Sequence, residues 1–147
     1  MVFPALYGAA WRRLGRWGLV GFLVTFAGTA LLAVSSQFGF IVPVLAAEAP
    51  ATLDAIIVYL PVVVFNGFAA GGFIAGYVIL GISIATSRAF PRWSGVLIAV
   101  GAPVHLVGAG VAQLGSPALW FVAVLGSLAL GSGLAWCGYR MWAEPGL

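Results

Sequence analysis

Apolar residues run almost unbroken through four stretches of this chain, and polar residues gather in the breaks between them. A helix that crosses the ~30 Å hydrocarbon layer needs about 20 apolar residues at ~1.5 Å rise each. Four stretches are long enough: about 17–40, 60–87, 93–113 and 117–140. The segment between the first two, 41–59, is mixed and contains Pro43, Glu48, Pro50 and Asp54. Apolar character resumes at Ile56 and lasts to Thr86, longer than one span requires. That stretch therefore tilts, kinks near Pro61, or begins as a separate interfacial piece. Two short turns complete the pattern, Arg88–Arg92 and Leu114–Pro117, with Pro117 placed to open a helix. The fold predicted is all-α: an integral membrane four-helix bundle with an interfacial segment between its first two helices.

The charges add a direction. The six basic residues are Arg12, Arg13, Arg16, Arg88, Arg92 and Arg140. Four crossings bring all six to one face, which the positive-inside rule makes cytoplasmic. Glu48 and Asp54 fall on the other face, and both termini are cytoplasmic. Five of six tryptophans (Trp11, Trp17, Trp93, Trp136, Trp142) fall near the arginine face and Trp120 near the opposite one. Indole rings collect in this way at membrane–water interfaces. A cleavable leader is the competing reading of the N-terminus, since Ala47-Glu48-Ala49 resembles a processing site. The apolar run from Gly18 to Phe40 exceeds the 7–15 residues or so of a leader's apolar region, so it is read as a retained helix.

Composition agrees and narrows the functions. Apolar residues make up 63% and charged residues 6%, against roughly 25% charged in soluble domains. Six scattered arginines without a basic stripe or a binding motif argue against a nucleic-acid partner. The bilayer is the first partner implied. Cys137 is the single cysteine, so an intrachain disulfide and a cysteine metal cluster are both excluded.

Lipid tails are as apolar as leucine, so membrane helices associate through close packing at small residues. The second span offers Gly67/Gly71 and Gly72/Gly76, pairs that face two sides of the helix and suggest neighbours on both flanks. Gly101 and Gly108 on the third span and Ser127/Gly131 on the fourth are further packing candidates, with Gly21, Gly28, Gly81 and Gly133 beside them.

Polar side chains inside a membrane are costly, so they mark candidate sites. His105, the only histidine, lies twelve residues past Trp93, about 18 Å along the helix. It shares a face with Gly101, Ala102, Gly108, Ala109 and Ala112 and so points toward other helices. Gln37, Asn66 and Gln113 fall at the outer ends of their spans, with Glu48 and Asp54 beyond and Tyr77 on the face of Asn66. These residues define a possible outer-leaflet pocket floored by His105 and covered by 41–59. His105 is open to three readings: a helix–helix hydrogen bond, a ligand or proton contact, or single-histidine ligation of a haem or pigment. No metal site is expected.

The turn Arg88-Ala89-Phe90-Pro91-Arg92-Trp93-Ser94-Gly95 resembles the Arg-x-x-Pro-Arg-Trp-x-Gly turn of a group of small multi-pass bacterial inner-membrane proteins. Gly131–Arg140 is similar in style. The resemblance covers about the last 70 residues and implies a bacterial inner-membrane location without an activity. Three functions stay open. The first is a non-catalytic accessory or assembly subunit, in a homo-oligomer or with other membrane subunits. The second is a binder or transporter of a small molecule, lipid or quinone. The third is a membrane enzyme acting on a hydrophobic substrate.

Overall fold

A computed structural model describes residues 2–113 and 117–143, the side chains of 2–13, 39 and 117 excepted. Six α-helices follow one another: α1 (Val2–Ser36), α2 (Phe38–Glu48), α3 (Pro50–Ile57), α4 (Leu60–Thr86), α5 (Arg92–Gln113) and α6 (Trp120–Ala143). A 3-10 turn, Pro117–Leu119, precedes α6, and no strand occurs among the described residues. Four segments are long and apolar enough to span a membrane: Leu14–Glu48, α4, α5 and α6. The turn expected at 114–116 lies outside the described residues.

Local sequence explains most of the breaks. Gly15 has φ 65° and ψ −165°, a conformation that side chains disfavour, and it bends α1 where the apolar run begins. At the far end, Ser36 and Gln37 turn their side chains back onto the Ala33 carbonyl, and the helix is interrupted before α2. Pro50 and Pro61 stand in the first turns of α3 and α4, where a missing N–H costs nothing. The segment 41–59 is therefore helical almost throughout. Of the possibilities open for the stretch starting at Ile56, the structure takes the separate piece: α3 ends at Ile57 and α4 begins at Leu60.

The long helices alternate in direction, as their contacts establish. Gly21 meets Leu80, and Gly28 meets Gly72, so α1 and α4 are antiparallel. Gly101 meets Leu130, and Gly108 meets Ala123, which makes α5 and α6 antiparallel as well. Each helix packs chiefly on its neighbours in this order, α1–α4–α5–α6, while α1 and α6 touch only slightly. The central pair, α4 and α5, is consequently more buried than the outer pair. Arg16, Arg88, Arg92 and Arg140 all come to one end of the stack, the arginine end.

Glycine makes these contacts possible. A Cβ on Gly28 or Gly76 would land on backbone of the facing helix, and the same holds at Gly81, Gly95, Gly101, Gly108 and Gly126. Of the two glycine pairs read on α4, Gly72/Gly76 faces α1. Gly67 and Gly71 meet nothing within 4 Å, and neither does Gly131 on α6. The second flank of α4 is served by Gly81, against Gly95 and Ala99 of α5. Between the glycines, Leu80, Ile84, Ile98 and Ala102 form a closely packed core. The Arg88–Arg92 turn is less polar than expected: Ala89 and Phe90 tuck into that core, while Arg88 and Arg92 stay exposed.

Candidate functional site

At the end opposite the arginines the helices leave space. A cavity of about 410 Å³ is walled by Ser35 and Ser36 of α1, Asn66 of α4, His105 and Gln113 of α5, and Trp120 of α6. Leu32, Leu106 and Ala109 supply its apolar surface. A second cavity of about 340 Å³ adjoins it, sharing Ser35, Asn66 and Gln113. Its other walls come from α2 (Phe38, Val42, Leu45) and α3 (Leu53, Ile56, Ile57). The two helices thus roof the space with apolar side chains. The volumes fall within the ~300–1,000 Å³ usual for small-molecule sites.

His105 is fixed from two sides. Its ring lies 6.4 Å from that of Phe73 on α4, which in turn packs edge-on against Tyr77 at 4.7 Å. On α6, Nδ1 is 2.8 Å from Ser127 Oγ and 3.2 Å from the Ala123 carbonyl, and the Ser127 hydroxyl donates to that same carbonyl at 3.0 Å. Gly126 lets the α6 backbone come close enough for this, since a Cβ there would fall on the His105 main chain.

The cavity's other polar groups are only partly occupied. Asn66 Nδ2 donates to the Val62 carbonyl at 3.0 Å, one turn back, leaving Oδ1 free. Ser35 Oγ is shielded from solvent and has no hydrogen-bond partner among the described residues. Its neighbour Ser36 donates to Ala33 O at 2.7 Å, the usual fate of a helical serine.

Of the residues read as candidate ligand contacts, the structure brings His105, Asn66 and Gln113 together. Gln37, Glu48 and Asp54 are exposed and line neither cavity. Tyr77 is buried in the helix core with its hydroxyl toward Thr29 and lines neither cavity. Ser35, Trp120 and the Ala123 carbonyl were not singled out by sequence. A serine pair ending an apolar run was the available signal for Ser35; nothing in the sequence distinguishes Ala123.

Elsewhere, Cys137 is fully buried and its thiol donates to Ser94 Oγ at 3.4 Å, while Ser94 donates to the Pro91 carbonyl at 2.6 Å. This chain of hydrogen bonds ties α6 to the start of α5. No cluster of three or more metal-ligating side chains occurs among the described residues. Ligation of a haem or pigment by His105 would have to use Nε2, because Nδ1 is engaged by α6.

Comparison with protein-family models, curated proteins and solved structures gives no match. The resemblance at the Arg88–Gly95 turn therefore brings no activity with it, and the site is read from its own geometry.

Proposed function

We propose that this protein binds a small, mainly apolar molecule between its membrane-spanning helices, on the outer side of a bacterial inner membrane, with both termini cytoplasmic. One observation carries the reading: side chains from three long helices, Ser35, Asn66, His105 and Gln113, converge on adjoining cavities roofed by α2 and α3. Ser35 Oγ is shielded and without a partner among the described residues, and a buried polar group of that kind becomes reasonable where a ligand supplies the missing partner. The arginines at the opposite end support the orientation, through the preference of Lys and Arg for the cytoplasmic side.

Native mass spectrometry of gently extracted protein tests this. Wild type is expected to retain a lipid-like adduct that the Asn66→Leu/Gln113→Leu double variant loses. Equal retention by a folded double variant would end the proposal. For the orientation, a membrane-impermeant thiol reagent applied to intact cells is expected to miss Arg88→Cys and to reach Asp54→Cys.

A second reading, an assembly subunit, is favoured by the small-residue faces left open at Gly67, Gly71 and Gly131. Oxidative cross-linking of Gly71→Cys or Gly131→Cys into a dimer would support it. Monomers at all protein concentrations would remove it.

A further inference from the structure

The hydrogen bonds around His105 select one of its two neutral tautomers, and this selects the kind of ligand. Three atoms form a triangle: His105 Nδ1, Ser127 Oγ and the Ala123 carbonyl oxygen, at 2.8, 3.0 and 3.2 Å. The carbonyl can only accept, and Ser127 has one proton to donate. Were Nδ1 unprotonated, Ser127 would have to abandon the carbonyl to reach it. The imidazole lone pair would then face the carbonyl lone pairs at 3.2 Å. With the proton on Nδ1, that N–H donates to Ser127 Oγ, Ser127 donates to Ala123, and each atom is satisfied. The neutral ring then carries its lone pair on Nε2, which has no hydrogen-bond partner among the described residues.

The remaining walls sharpen the chemistry. Asn66 Oδ1 is a second acceptor left free, because Nδ2 is engaged by Val62. No arginine lines either cavity to match an anion, and neither Glu48 nor Asp54 is there to match a cation. Most of the rest of the surface is apolar, from Leu32, Leu106, Val42, Ile56 and the aromatic Phe38 and Trp120, with Ser35, Ser36 and Gln113 as its other polar groups.

Resting on the cavity reading above, we propose that the ligand is a neutral amphiphile whose head donates a hydrogen bond through a hydroxyl to His105 Nε2, while its apolar body lies under α2 and α3. A hydroxyl-bearing ring or alcohol fits, because it can donate to Nε2 and still accept from Ser35 or Gln113; its ether counterpart lacks the proton that Nε2 would accept.

Because the chain has one histidine, ¹⁵N NMR of histidine-labelled protein, purified without a histidine tag in lipid nanodiscs, reports this imidazole alone. The unliganded protein is expected to give a protonated Nδ1 and a pyridine-like Nε2; the reverse assignment overturns the tautomer and with it the proposal. The probes are 4-hexylphenol and 4-hexylanisole, alike in shape and differing in the donated proton. The phenol is expected to bind about fivefold to tenfold tighter, the scale of one net hydrogen bond, and to shift Nε2, whereas the ether leaves it unmoved. Equal binding of both probes with Nε2 unmoved overturns the donor head and leaves the cavity reading standing. If neither probe binds, the proposal falls together with that reading. His105→Phe provides a second arm: in a folded variant the preference for the phenol is expected to vanish, and its persistence would overturn the assignment.

Discussion

The two ends of this helix stack are built on opposite plans. At the arginine end the helices meet closely through glycine. Leu80, Ile84, Ile98 and Cys137 are at most 1% exposed, and Ser83, Thr86, Ser87 and Ser94 all donate hydrogen bonds within the fold. At the cavity end the helices part, α3 has no buried residue, and Ser35 and His105 Nε2 lack partners among the described residues. The lesson is that one end supplies cohesion and the other supplies space, although buried hydroxyls without a partner among the described residues also occur between α1 and α4, at Thr25 and Thr29. Membrane helices make this division visible because lipid gives no hydrophobic push toward closing a gap.

The contrast can be broken most forcefully at Gly126. Gly126→Val forces a side chain into the main chain of His105 and is expected to cost about 3 kcal/mol or more, at the upper end of overpacking. Gly131→Val, on the open face of the same helix, is expected to stay within about 0.5 kcal/mol. Reversible unfolding in mixed detergent micelles measures both, and similar losses would show that the described packing is wrong. Next comes Cys137→Ala, which removes a fully buried sulfur and its hydrogen bond to Ser94. A loss of about 1–2 kcal/mol is expected in the same assay. In wild type this thiol is expected to resist a membrane-permeant maleimide until the helices separate, and fast native labelling would contradict its burial.

Smaller effects sharpen the picture. Gly15→Ala places a Cβ at positive φ, which is expected to cost about 1 kcal/mol. A circular-dichroism melt unchanged from wild type would show that the bend is not held. Smallest of all is the double change Asn66→Leu/Gln113→Leu, expected to leave stability within about 0.5 kcal/mol or raise it slightly. The same change is expected to weaken 4-hexylphenol binding at least tenfold in equilibrium dialysis. A large loss of stability instead would assign these two side chains to cohesion.

How far the sequence discloses this arrangement depends on what kind of physics sets each part. The long apolar helices are legible because bilayer thickness imposes a length, and 60–86 or 92–113 can be read by counting. The helical nature of 38–57 is harder to see, since Glu48, Pro50 and Asp54 look like a loop although Pro50 in fact opens a helix. Helix faces are the weakest link. In lipid every side of α4 is apolar, so spacing can propose Gly67/Gly71 and Gly72/Gly76 equally, and only the neighbour decides that Gly72/Gly76 is used. His105 stands out by its cost in an apolar run, and Asn66 and Gln113 by their positions. Tyr77 shares a helix face with Asn66, yet eleven residues of rise carry it into the core. Ser35 and the Ala123 carbonyl matter through tertiary geometry alone.

The seven-residue spacing of Gly21/Gly28, Gly101/Gly108 and Gly126/Gly133 has a mechanical consequence. Each pair acts as two notches into which the opposite main chain settles, as at Gly28 against Gly72 and Gly126 against His105. Sliding α6 by one turn along α5 would lift Gly126 out of its notch and drive Leu130 or Val122 against the rail. Shear between the long helices is thereby blocked in steps of a whole turn. No glycine of α4, α5 or α6 notches into α2 or α3, so the seating of these two helices on the long ones is not indexed in this way.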